Sequence, residues 1–122
     1  MFKIFKSQEF IQMSNPTPGN TYKEDLLKKL SAQTLSGVFG LVMPGGEGGK
    51  YHIHEKGEHV IIILSGEGIE LVEGKEIPIK AGDILFVPAG VKHTTLNRSK
   101  DDLRYIGFFT CTPGQQDRTE FK

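Results

Sequence analysis

Cysteine is nearly absent from this chain of 122 residues: Cys111 is the only one, so no disulfide can close within the chain. No electropositive setting surrounds it in the sequence, and a small packing residue rather than a reactive thiol is the expectation for Cys111. An excess of charge is missing as well. Fifteen Lys and Arg face fifteen Asp and Glu, which argues against a broad electrostatic footprint for nucleic acid or an anionic membrane. The same balance leaves little repulsion between copies of the chain. Long apolar runs are lacking too, since the strongest, Val60–Leu64, falls far short of the roughly 20 residues that span a bilayer. The first residues, Met1–Lys6, have neither the apolar stretch nor the cleavage site of a signal peptide, so a cytoplasmic location is expected.

What the chain does have is punctuation. Its 15 glycines and 6 prolines are not gathered into a linker but separate short apolar segments, as turns separate strands. Strands are read at Leu35–Met43, Lys50–His54, His59–Leu64, Gly68–Val72, Lys75–Ile79, Asp83–Val87, Thr94–Asn97 and Leu103–Phe109, with weaker ones at Phe2–Phe5 and Glu9–Met13. Glu73-Gly74 between two of them reads as a tight hairpin turn. Thr21 followed by Glu24 has the spacing of a capping box, and Leu26, Leu27 and Leu30 form one apolar stripe, so a short helix is expected there. The polar end, Gln115–Lys122, reads as frayed or as lying across a neighbour. Many short strands with at most one short N-terminal helix make an all-β sandwich or barrel the expected fold class.

There are only four histidines, and they carry the chemistry. His52 and His54 lie two apart in a strand, so the period of two puts both on one face. His59 opens the next apolar strand, and His93 follows the turn Pro88-Ala-Gly90. Imidazole nitrogens at about 2.0–2.1 Å suit zinc and its neighbours among the transition metals, and His-x-His delivers two of them from rigid backbone. Such pairs also arise by chance, so the surrounding spacing has to decide.

That spacing resembles the two signature motifs of the cupin superfamily. The first runs Gly46, five residues, His52-x-His54, four residues, His59, six residues, Gly66; the second runs Gly82, five residues, Pro88-x-Gly90, two residues, His93, three residues, Asn97. With this composition the second motif arises by chance about six times in ten million per starting position. The resemblance implies a double-stranded β-helix, or jelly-roll barrel, over residues 35–113. Residues 1–34 would then be N-terminal strands with the short helix, packed on the barrel or on a dimer partner, and residues 114–122 a polar tail. It further implies one divalent transition metal ion per chain (zinc, iron, nickel, manganese or copper), held by His52, His54, His59 and His93, and a homodimeric assembly.

One departure bears on the chemistry. The family pattern has glutamate where this chain has His59. Counting back from Gly66 favours His59 as the ligand, while Glu58 would serve if the preceding loop were one residue shorter. Four imidazoles around a divalent ion leave a site charge of +2 where three and a carboxylate leave +1, and the higher charge attracts anionic or enolate-like ligands. The expected partner is a small organic molecule inside the barrel. The resemblance spans dioxygenases, isomerases and lyases, and a barrel that binds a ligand or sugar without turnover is the alternative; a purely structural barrel is the third. No catalytic acid or base is named. Glu58 reads as a solvated loop charge, only one of Arg104 and Tyr105 can face inward, and Asn97 reads as a turn-tying amide. Ile61, Ile63, Phe86, Leu96, Ile106 and Phe108 are expected to line the interior or fill the core. Gly46, Gly66, Gly82 and Gly90 are expected to serve backbone geometry, and Asp83 a turn.

Overall fold

The computed structural model describes residues 3, 4, 6, 21–25, 32, 34–47, 52–54, 57–110 and 118–120, the segments 21–25, 52–54 and 118–120 by their backbone pairing. They form ten strands: β1 (Thr21–Asp25), β2 (Ser36–Val42), β3 (His52–His54), β4 (His59–Ser65), β5 (Glu67–Val72), β6 (Lys75–Lys80), β7 (Ile84–Val87), β8 (His93–Leu96), β9 (Leu103–Phe109) and β10 (Arg118–Glu120). Two five-stranded antiparallel sheets result, ordered β1-β2-β9-β4-β7 and β10-β3-β8-β5-β6. This is the double-stranded β-helix expected from the motifs. No helix occurs among the described residues.

Alternation sorts the side chains. In β4, His59, Ile61 and Ile63 are buried while Val60 and Ile62 are half-covered; in β9, Leu103, Tyr105, Gly107 and Phe109 point inward. The core between the sheets joins Val42, Ile61, Ile63, Val87, Leu103 and Tyr105 of the first sheet to Ile79 of the second, with Leu85 and Val91 against them. Tyr105 is therefore the inward residue and Arg104 lies on the other face, 3.5 Å from Asp102.

The turns behave as their residues dictate. Glu73 and Gly74 have φ of 48° and 80°, the left-handed pair that a two-residue hairpin between twisted strands requires. Gly66, at φ 85°, faces the Asp102 carbonyl so closely that a Cβ has no room. Asp83 accepts the Lys80 backbone N–H at 2.9 Å and closes the turn before β7. Asn97 is buried; its amide donates to the carbonyls of Val42 (2.8 Å) and Asp101 (2.7 Å), and its oxygen accepts from Ser99. Its backbone N–H also donates to Gly46, so the start of one histidine motif is tied to the end of the other.

Five expectations change. Thr21–Asp25 is a strand rather than the start of a helix, because it pairs residue by residue with β2, and ladder hydrogen bonds replace the cap; Leu26, Leu27 and Leu30 lie outside the described residues. Arg118–Glu120 is not loose but pairs with His52–His54. Phe86 is 58% exposed, since it opposes the outward Val60, and Leu85 and Val87 take the inner positions. Leu96, Ile106 and Phe108 are half-buried on the outer face rather than central. Lys3 and Ile4 are not in a strand, and the rest of Phe2–Phe5 and Glu9–Met13 lies outside the described residues.

Candidate metal centre

The sheets bring two histidines together. His59 enters from β4 of the first sheet and His93 from β8 of the second, with ring centroids 5.6 Å apart. Both are buried, at 6% and 2% exposure. With nitrogen–metal bonds of about 2.0–2.1 Å, two imidazoles on one ion have centroids roughly 4.5 to 6.4 Å apart, and this pair falls within that span. His59 lies flat on the Phe109 ring at 3.8 Å and 21°. Its space exists because residue 107 on the neighbouring strand is glycine: a Cβ there would come within 2.7 Å of His59 Nε2.

His52 is the direct cross-strand partner of His93, and His54 follows two positions on, paired with Arg118. The structure thus sets the backbone of β3 beside β8 at the level of His93. The side chains of residues 52 and 54 lie outside the described ones, and among the described residues no three His, Cys, Asp or Glu side chains form a metal-holding group. Glu58 is exposed and stays in its loop, where its backbone N–H and carbonyl both bond Thr110.

A residue that sequence reading passed over stands beside His93. Glu70 of β5 is only 2% exposed; its carboxylate accepts the Thr95 hydroxyl at 2.6 Å and lies 2.8 Å from His93 Nδ1. The register explains the meeting. Glu70 opposes Thr95 and Val72 opposes His93, so 70, 72, 93 and 95 share the inner face. An ionised carboxylate there would accept from Nδ1–H and leave the imidazole lone pair on Nε2, an atom that is also buried. The signal available in the sequence was Glu70 itself, an acidic residue between the apolar Ile69 and Leu71 of a strand.

Beyond Glu70 a cleft of about 390 Å³ opens between β5–β6 and β7, walled by Val72, Ile79, Leu85, Val87 and Val91. The lining of this cleft is apolar apart from Glu70 and Glu73.

Comparison with known proteins agrees with this architecture. Residues 39–109 match the family described as cupin domain. An oxalate-binding protein of Thermotoga maritima is 33% identical over 89 residues, covering 72% of this chain and 74% of the relative. Among solved structures, a conserved protein with a double-stranded β-helix domain from Klebsiella pneumoniae superimposes with a TM-score of 0.81 at 22% identity, over 100% of this chain and 99% of that one. A protein titled a putative sugar phosphate isomerase from Acidithiobacillus ferrooxidans gives 0.74 at 21% identity, over 87% and 73%.

Proposed function

The chain belongs to the cupin family, and from that premise we propose that its barrel holds one divalent transition metal ion on His52, His54, His59 and His93 and takes a small organic anion there, as a metalloenzyme of the dioxygenase, isomerase or lyase type. The observation that carries the reading is the approach of two buried imidazoles from opposite sheets, with the His52 backbone paired to one of them. Burial of His59 and exposure of Glu58 support histidine rather than glutamate at the departure from the family pattern. When bound, the ion supplies Lewis acidity toward a carboxylate, carbonyl or enediol oxygen.

The chain's residues do the rest. Val87, the cross-strand partner of His59, and Ile61, two positions on along β4, are buried, and a site in such apolar surroundings strengthens any charge interaction inside. Phe109 holds the His59 ring flat, and Glu70 sets the proton of His93. Among the described residues the buried titratable side chains are His59, Glu70, His93 and Tyr105, and Glu70 is engaged with His93 and Thr95. Binding without turnover is the second reading, and the name of the 33% relative, an oxalate-binding protein, favours a dicarboxylate as its ligand. The assembly proposed is a homodimer, which light scattering on the purified protein tests.

Elemental analysis of the untagged protein, followed by calorimetric titration with oxalate, tests the site. About one metal per chain and oxalate binding that vanishes in His52→Ala/His54→Ala are expected, with the variant still folded. Full metal content in that double variant would refute the ligand set. Oxalate recovered unchanged favours binding, and its consumption, or turnover of a related acid, favours the enzyme.

A further inference from the structure

We propose that Glu70 is the positioning residue of this centre: its buried carboxylate holds His93 as the tautomer with the proton on Nδ1, and it supplies behind the ligands the negative charge that the ligand set lacks with His59 in the glutamate position. The inference rests on the metal reading above.

The geometry is specific. Glu70 sits on the inner face of β5 at 2% exposure, where an acidic side chain is rare without a dedicated partner. Both oxygens are used, Oε1 by the Thr95 hydroxyl at 2.6 Å and Oε2 by His93 Nδ1 at 2.8 Å. Thr95 lies directly across from Glu70, so its hydroxyl fixes the rotation of the carboxylate and aims the second oxygen at the ring. The partner chosen is His93 rather than a surface cation. A carboxylate hydrogen-bonded to the far nitrogen of a ligating histidine fixes its tautomer and raises its basicity, and losing it typically costs 10- to 100-fold in metal affinity.

Charge gives the second half of the argument. Four neutral imidazoles leave a divalent centre at +2; one carboxylate within hydrogen-bond reach of a ligand returns the cluster to +1. The acidic group that the family pattern places among the ligands is here one side chain removed, on a different strand, and the open coordination positions stay available to ligand.

The test uses the full chain, zinc ions as probe, and two readouts. Long-range proton–nitrogen NMR of the metal-free protein reports the His93 tautomer, and competition with a chromophoric chelator reports zinc affinity. Wild type is expected to show one tautomer, with the proton on Nδ1. In Glu70→Gln the amide offers Nδ1 either an acceptor or a donor, so a mixture of tautomers is expected, with zinc held 10- to 100-fold more weakly. A Glu70→Gln protein that keeps wild-type zinc affinity overturns the proposal, as does a wild-type His93 protonated on Nε2. If wild type takes up no zinc, the metal reading itself fails, and the tautomer still decides whether Glu70 sets His93. Should Glu70→Gln not fold, Thr95→Val, which keeps the carboxylate but removes the hydroxyl that aims it, is expected to bind zinc about fivefold more weakly; wild-type affinity there overturns the proposal.

Discussion

Replacing Gly107 by alanine adds a single methyl group against His59, and the structure says what that methyl meets. The new Cβ would lie 2.7 Å from His59 Nε2, where carbon and nitrogen normally rest roughly an ångström further apart. The ring has little freedom to retreat, because it is buried and stacked on Phe109 at 3.8 Å. Overpacking of this kind costs about 1–3 kcal/mol. Alanine recovers up to about 1 kcal/mol by restricting the unfolded chain, so a net loss of about 1–2 kcal/mol is expected. The decisive experiment is a double-mutant cycle with His59→Ala, followed by urea unfolding in the presence of chelator. Without the imidazole the methyl group has space, so Gly107→Ala should be neutral or stabilising by up to about 1 kcal/mol in the His59→Ala background. The coupling is then the clash itself, about 1–3 kcal/mol, well above the roughly 0.5 kcal/mol scatter of independent sites. Strict additivity would refute the argument that Gly107 exists to seat this ring.

Three further outcomes are expected. His59→Ala should weaken zinc binding strongly while Glu58→Ala leaves it at the wild-type level, measured by chelator competition; the reverse pattern would move the ligand to Glu58. Asn97→Ala, which removes the buried amide donor to the Val42 carbonyl, should lower stability by about 1–3 kcal/mol in urea without altering metal bound per folded molecule. Arg98 grips the exposed Glu76 with two hydrogen bonds, at 2.9 and 2.7 Å, and holds its carboxyl below the usual glutamate range. A depressed folded value means that this contribution is present above the unfolded pKa of 4.5 and is lost as pH falls through the folded one. An NMR titration should therefore find the Glu76 midpoint low in wild type and restored in Arg98→Ala, with a small effect on stability because the pair is solvated.

Local chemistry was legible in the sequence, and long-range pairing was not. The alternation that buries His59, Ile61 and Ile63 and the left-handed Glu73-Gly74 turn are decided within a few residues, so reading the chain recovers them. Both histidine motifs likewise depend on spacing alone. Phe86 was misplaced because its face depends on which residue of β4 it opposes. The strand at Thr21–Asp25 exists through β2, and Arg118–Glu120 pairs with a strand more than 60 residues earlier. Glu70 was missed for the same reason: nothing near it in sequence announces His93, 23 positions on, and only the β5–β8 register brings them together.

That same strand order has a kinetic side. Among the described strands only β1–β2 and β5–β6 are neighbours both in sequence and in a sheet; the other pairings join distant segments. Folding must close large loops before those contacts repay the entropy, which places the chain among slow folders with the β5–β6 hairpin as the cheapest starting point. His59 and His93 belong to opposite sheets, so their rings approach only when the two sheets dock. The centre is therefore completed only when the sheets dock, and capture of a metal ion during refolding would time the moment the barrel shuts.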